Sequence, residues 1–460
     1  MALSPSTWAD GVLVYFGYPR AHEDDAERAI RAGLNVIESV GQLDIKIAEL
    51  RILVGIATGL VVVGDLIGEG AAQERSVVGE TPNLAARLQA LAEPNTVVVA
   101  LSTRRLVGEL FEYRDLGAVE IKGIGAPVRS WQVLHPSVVP SRFEALRGST
   151  LGALVGRDEE IDLLVRRWAL AKSGDGQVVL ISGEPGIGKS RIAAELAERL
   201  HEELHILLRY FCWPYHQNSA LFPFIELLGH AAGFISDDRP ATRLEKLEAL
   251  LARATPPDDM ALLADLLSLP AAERHPQLIL SPQRKKERTF EALIRQFEGL
   301  ARQHPVAMVF EEVHWIDPTS RELLDLIVER VRILPVLLIV TFRPNFQPLW
   351  TGQPQVSVMA LNRLGRRDRT HLVKQIAGGK GLPDGVIVHI ADRTDGVPLF
   401  VEELTRNVLE SGLLREERDR YVLDGTLPPL AIPTSLHDSL MARLDRLGSL
   451  RHVAQIGAAI

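Results

Sequence analysis

QVVLIS-GEPGIGKS-RIAAELAERLHEEL, residues 177–204, decides the reading of this chain. An apolar run leads into a glycine-rich loop with GxxxxGKS spacing, and an amphipathic helical stretch follows. Gly183, Gly186 and Gly188 let the backbone curl so that its N–H groups face phosphate oxygens, and the helix behind them adds its positive N-terminal end. Lys189 is placed to neutralise β- and γ-phosphates, and Ser190 to ligate Mg²⁺. Strand, spacing and helix together separate this loop from an ordinary strand-to-helix turn. They predict binding of a nucleoside triphosphate.

Downstream, VAMVFEEVHWID at 306–317 is an apolar strand that ends in two carboxylates. Glu311 is expected to hold Mg²⁺ through its water shell, and Glu312 to orient or deprotonate an attacking water. Asp is usual at the first position, so Glu311 adds a methylene to the metal geometry. Arg343, in VTFRP after the next buried run, stands where a γ-phosphate sensor belongs, although spacing alone fits a surface arginine equally well.

The general numbers suit a multidomain chain: 460 residues at about 150 per domain predict about three domains. A net charge of -8 and a pI near 6.0 give no electrostatic reason to expect nucleic acid as a partner. A single cysteine, Cys212, excludes a disulfide framework and a cysteine-rich zinc site. The start, MALSPSTWADG, lacks a basic region with an apolar core. The greasiest stretch, ILPVLLIVTF, is too short to span a bilayer, so no membrane partner and a cytoplasmic location are expected.

Residues 1–134 alternate apolar strands (VLVYF, RILVGIA, TVVVA, SWQVL) with helical stretches, the pattern of an α/β or α+β domain. Residues 135–152 gain Pro, Ser and Gly and read as a linker. The next domain, 153–345, runs strand, phosphate loop, helix, a long mostly helical insertion over 214–303, then two buried strands of a parallel sheet. Residues 346–460 read as a further region whose pattern becomes helical beyond about 360, with LTRNVLESGLL and SLHDSLMARLDRL as amphipathic faces. RHVAQIGAAI stops inside an apolar helical pattern, so more chain is expected to follow. The aromatic cluster FCWPYHQNSALFPF reads as core packing, SPQRKKERT as a solvated helix start and HEDDAER as an acidic first turn.

LVGRDEEIDLLVRRW, GEPGIGKS, FEEVHWIDPTS, VTFRP and DGVPLFVEEL together resemble the STAND class of AAA-related signalling ATPases over residues 153–460. The resemblance implies that Val155, Gly156 and Arg157 lie near the adenine. It also implies that Pro398, in Gly396-Val397-Pro398, closes over the nucleotide from a helical or winged-helix lid, and that the module is an ATP-gated switch. The residues alone make Gly396 and Pro398 a turn before a helix.

ADGVLVYFGYPRAHEDDAERAIRAG, VGIATGLVVVGDLIG and SVVGETPNLAARLQ resemble the catalytic domain of class III adenylate and guanylate cyclases, over about residues 5–134. In that family two aspartates hold two metal ions, Mg²⁺ or Mn²⁺, and one of them matches Asp10. Asn83 matches the residue that positions the ribose, and Arg87 the one that bonds the phosphate. Their spacing puts both on one helix face. The chain departs from the pattern at Ser6, Ala9 and Ser76, and the strand carrying the second metal aspartate would fall before residue 1. Such cyclases share each site between two chains, which implies self-association or pairing with another cyclase chain.

The fold expected is α/β and multidomain: an α+β cyclase-like domain, then a P-loop ATPase with a parallel sheet and a helical or winged-helix lid. The function expected is an ATP- and Mg²⁺-binding switch that hydrolyses slowly, with a further protein partner reached through sequence beyond residue 460. One alternative is an active cyclase, ATP to cyclic AMP and pyrophosphate, in a longer chain; another is an ATP-dependent transcriptional regulator whose DNA-binding domain lies elsewhere.

Overall fold

The computed structural model describes residues 6–8, 11–18, 21–22, 24–41, 50–59, 61–64, 76–78, 80–120, 127–137, 152–235, 238–251, 255–272 and 274–423. The chain splits into two compact units, the first built on Met1–Leu151 with Arg406–Leu414 and Leu423–Ile460, the second on Gly152–Thr405 with Arg415–Val422.

The first unit is built on a four-stranded sheet. In chain order its elements are β1 (Ser6–Trp8), β2 (Gly11–Leu13), α1 (Asp25–Gly41), β3 (Leu53–Ile56), β4 (Val62–Gly64), β5 (Ser76–Val78), α2 (Glu80–Leu91), β6 (Thr96–Ala100), α3 (Leu101–Val107), β7 (Phe111–Val119) and β8 (Val128–Pro136). The sheet order is β3-β6-β8-β7, with β3 parallel to β6 and the other pairs antiparallel. β1 with β2, and β4 with β5, form two separate antiparallel pairs. Two helices cover this sheet by close approach at glycines. A Cβ on Gly33 of α1 would meet Val54 and Val97 at 3.1 and 3.3 Å, and one on Gly55 of β3 would lie 2.2 Å from the Ala85 carbonyl and the Gln89 amide of α2. The backbone of α2 therefore rests directly on β3. Leu88, Ala92, Val98 and Ala100 form the small core beneath it.

The chain from the start of the second unit onward runs α4 (Asp158–Lys172), β9 (Gln177–Ser182), α5 (Lys189–Leu200), β10 (Ile206–Phe211), α6 (Phe222–Ala231), α7 (Pro240–Leu251), α8 (Pro257–Leu266), α9 (Pro282–Gln303), β11 (Val306–Glu311), α10 (Pro318–Val331), β12 (Val336–Phe342), β13 (Val356–Ala360), α11 (Arg366–Ile376), α12 (Asp384–Arg393), α13 (Pro398–Glu410), β14 (Leu414–Glu416) and β15 (Tyr421–Leu423). Its five-stranded sheet is parallel throughout, in the order β10-β11-β12-β9-β13. The central strands are continuous apolar runs because helices cover both faces: every residue of β11 and β12 is buried, and five of the six in β9. The edge strands β10 and β13 are only half-buried. Their mixed sequences, ILLRYF and VSVMA, explain why they are absent from the strands read from sequence, as is β7.

The segment between β10 and β11 is mostly helical, as its pattern predicts. Ser281 caps α9 by accepting from the Arg284 amide, so SPQRKKERT is a helix start. A bidentate pair of Arg295 with Asp259 ties α9 to α8. Tyr210, Phe224 and Phe310 stack into the core, and Cys212 is buried there, its thiol pushed well up by burial. LTRNVLESGLL lies on α13 and its end, whereas SLHDSLMARLDRL falls outside the described residues.

Candidate functional site

The sheet order sets the site. β9 and β11 carry the phosphate loop and the two acids, and β12 lies between them. Parallel strands present their carboxyl ends on one edge of the sheet, so Gly183 to Ser190, Glu311, Glu312 and Arg343 all emerge together there.

The loop has the backbone its glycines allow. Gly186 and Gly188 have φ of +75° and +107°, which side chains with a Cβ rarely adopt. Gly183 is needed for closeness instead, since a Cβ there would lie 2.6 Å from Ile187. Its amide donates to the Phe342 carbonyl at 3.2 Å, pinning the loop to β12. Lys189 is 5% exposed, and its ammonium donates to the Gly183 and Glu184 carbonyls at 3.1 and 3.4 Å. It also pairs with Glu312 at 3.4 Å.

Glu312 sits in the left-handed region, φ +58° and ψ +41°, a strained conformation for glutamate. The strain is held by Thr341, a fully buried residue of β12, whose hydroxyl accepts from the Glu312 amide at 3.0 Å. The carboxylate then meets Lys189, His314 at 3.4 Å and Arg343 at 3.6 Å. Arg343 also lies over the Trp315 ring. Asp317 caps α10 through the Ser320 amide at 2.9 Å and accepts from the Leu221 amide at 3.3 Å, fixing the start of α6 beside the acids.

Glu311 is 2% exposed. Burial pushes its carboxyl above the usual range, opposed by Arg209 and by a hydrogen bond from Ser190. The Arg209 guanidinium lies 3.0 Å from Oε1. Ser190 and Glu311, the two expected metal ligands, are thus adjacent. A hydroxyl and a buried carboxylate are hard oxygen donors that fit Mg²⁺, an ion that completes its shell with water and phosphate oxygens rather than an all-protein cage.

The Gly396-Val397-Pro398 segment reaches the loop directly. Val397 is fully buried, Pro398 is the first residue of α13, and the Leu399 amide donates to the Gly186 carbonyl at 3.2 Å. Arg363 joins the two segments through Glu184 at 2.9 Å and through Asp395.

Arg157 is 5% exposed and donates to the carbonyls of Ile187 at 3.2 Å and Asn362 at 2.7 Å. It braces the loop against the chain after β13. Val155 is buried, and Gly156 packs against Asp368 of α11.

In the first unit, Asn83 and Arg87 both lie on α2 and both are exposed. Asp10 and Ala9 lie outside the described residues, while Ser6 is on β1 and Ser76 on β5.

Arg209, Thr341 and His314 escaped the sequence reading. A hydroxyl inside the apolar VLLIVTF and an arginine inside ILLRYF were the available signals, since neither residue enters a buried strand without a partner.

Residues 6–134 match the model of the adenylate and guanylate cyclase catalytic domain, and residues 153–340 that of the AAA ATPase domain. The chain is a cyclase domain followed by an AAA ATPase domain. An uncharacterized protein of Rhizobium meliloti (strain 1021) is 32% identical over 459 residues, covering 98% of this chain, which spans only 43% of that relative's length. Among solved structures, the guanylate cyclase domain of RhGC from Catenaria anguillulae, in complex with GTP, is 23% identical. It covers 30% of this chain and 74% of its own at a TM-score of 0.28. The ORC1 protein of Aeropyrum pernix, in complex with DNA, is 15% identical over 66% of this chain and 70% of its own at a TM-score of 0.40. No helix among the described residues is long and apolar enough to cross a membrane. A cyclase domain joined to an AAA ATPase domain is an architecture consistent with a signalling protein.

Proposed function

We propose that the second unit is an ATP-dependent switch of the STAND type that binds ATP with Mg²⁺, hydrolyses it slowly, and signals through the cyclase-type domain. The observation that carries this reading is the convergence of Lys189, Ser190, Glu311, Glu312 and Arg343 at one end of one parallel sheet. In this reading Lys189 leaves the loop carbonyls and Glu312 for the β- and γ-phosphate oxygens. Ser190 and Glu311 would hold Mg²⁺, which when bound would neutralise charge on the phosphates. Glu312, freed from Lys189 and kept in place by Thr341, orients the attacking water and accepts its proton. Arg343 turns to the γ-phosphate. The contact of Leu399 with Gly186 offers α13 a direct report of the loop's state, as a switch requires.

The exposed Asn83 and Arg87 favour a second role for the first unit: one half of a cyclase site completed by another chain that supplies the metal aspartates, with ATP or GTP as substrate. Asp10 would be this chain's contribution to the metal half. A product assay with labelled ATP and Mg²⁺ or Mn²⁺, resolving ADP, cyclic AMP and pyrophosphate, tests both roles. ADP alone supports the switch with a partner-dependent cyclase domain. Cyclic AMP with pyrophosphate makes the chain an active cyclase, and absence of any product removes the hydrolysing switch.

A further inference from the structure

Arg209 has no part in the phosphate-loop reading, yet it touches the residue expected to hold the metal. It lies on edge strand β10, beside β11, with Phe211 in register with Glu311. Its side chain is 12% exposed and packs over the Phe211 ring, and its guanidinium reaches Glu311 Oε1 at 3.0 Å, where the carboxylate is 3% exposed. A buried carboxylate needs a counter-charge, and here the protein supplies it. The second acid is compensated likewise, by Lys189 and Arg343. The site is therefore electrostatically complete before any divalent ion arrives.

We propose that Arg209 is a resident counter-cation for Glu311, a positioning residue that allows nucleotide to bind before and without Mg²⁺ and makes the metal a late, weakly held arrival. The proposal rests on the reading of Lys189 and Ser190 as a nucleotide site. A triphosphate entering beside two carboxylates is repelled unless their charge is cancelled. Arg209 cancels one permanently because a guanidinium stays protonated. The same charge then opposes the approach of Mg²⁺ to Glu311. The additional methylene of glutamate at position 311 lengthens the reach of the carboxylate, which meets both Arg209 from β10 and the Ser190 hydroxyl.

The test is equilibrium binding of a fluorescent, non-hydrolysable ATP analogue to the full chain, once in EDTA and once in saturating Mg²⁺. The unaltered protein is expected to bind in both, with affinities within about tenfold, whereas Arg209→Gln is expected to lose at least about tenfold in EDTA and less than about threefold in Mg²⁺. Arg209→Lys, which keeps the charge, should restore most of the metal-free binding, and Arg209→Gln combined with Glu311→Gln should restore it by removing the uncompensated acid. Binding by the unaltered protein in Mg²⁺ but not in EDTA overturns the proposal without any variant. Equal losses for Arg209→Gln in both buffers also overturn it, since a merely structural arginine would act that way. Absence of binding in either buffer by the unaltered protein instead removes the nucleotide site itself. Should Arg209→Gln fail to fold, the lysine variant decides: metal-free binding retained supports the proposal, and metal-free binding lost with Mg²⁺-dependent binding intact overturns it.

Discussion

The two units place their candidate residues in opposite ways. In the AAA unit Lys189, Ser190, Glu311, Glu312 and Arg343 converge at the carboxyl ends of buried parallel strands, where Lys189 and Arg343 face Glu312 and Arg209 faces Glu311. In the cyclase unit Asn83 and Arg87 stand exposed on α2, and the helix, not the side chains, is what the fold secures, through its contact with Gly55. One site is assembled within its own sheet, and the other presents its residues outward. The difference teaches that a phosphate loop can be judged from one chain, whereas a shared active site has to be judged by what it meets.

The sharpest way to break this contrast is Glu312→Gln. Turnover to ADP should fall by about 10²–10⁴-fold, with binding of the non-hydrolysable analogue kept, because general-base assistance is lost while the phosphate contacts remain. Equal turnover in variant and parent would remove Glu312 from its role. Next is Gly55→Ala. A methyl group driven into the α2 backbone should destabilise the cyclase unit by on the order of 3 kcal/mol, read as the lower of two thermal transitions, while nucleotide binding by the AAA unit is unchanged. A single unshifted transition would mean that α2 does not depend on this contact.

Lys189→Ala should weaken ATP binding by about 10–100-fold with an intact far-ultraviolet spectrum, the loss of one charge-assisted contact to phosphate. Unchanged affinity would contradict the nucleotide reading altogether. Thr341→Val keeps the shape of β12 but leaves the Glu312 amide without that acceptor, at a cost of about 1–3 kcal/mol. Turnover should fall more than affinity, because Glu312 loses the support that holds it in the left-handed region. A variant with normal turnover and normal melting would show that the strain is held by other means. The smallest effect belongs to Arg363→Gln: its links to Glu184 and Asp395 are half-exposed, so stability should change by less than about 1 kcal/mol. A larger loss would mean that the bridge between the phosphate loop and the turn before α13 carries more than its exposure suggests.

Much of this was legible in the linear chain. GEPGIGKS announces its own geometry because every constraint in it is local: glycine torsions, helix start and lysine lie within eight residues. The acids after VAMVF and the arginine after VLLIVTF were legible for a related reason, since each stands where a buried run stops. That Asn83 and Arg87 share a helix face followed from their four-residue spacing, whereas the exposure of that face is seen only in the fold. Arg157 illustrates the limit: resemblance put it near the adenine, and the fold turns its guanidinium onto the Ile187 and Asn362 carbonyls, 30 and 205 residues away.

By itself the sequence put forward candidates for binding phosphate and metal and determined which segments form the helices and central strands, because those properties depend on neighbours along the chain. Only the tertiary structure decided that β12 lies between β9 and β11, which brings Thr341 under Glu312, and that β10 flanks β11, which brings Arg209 to Glu311. Strand order is a global outcome of packing helices on both faces of one sheet, and no local pattern encodes which edge an arginine will meet.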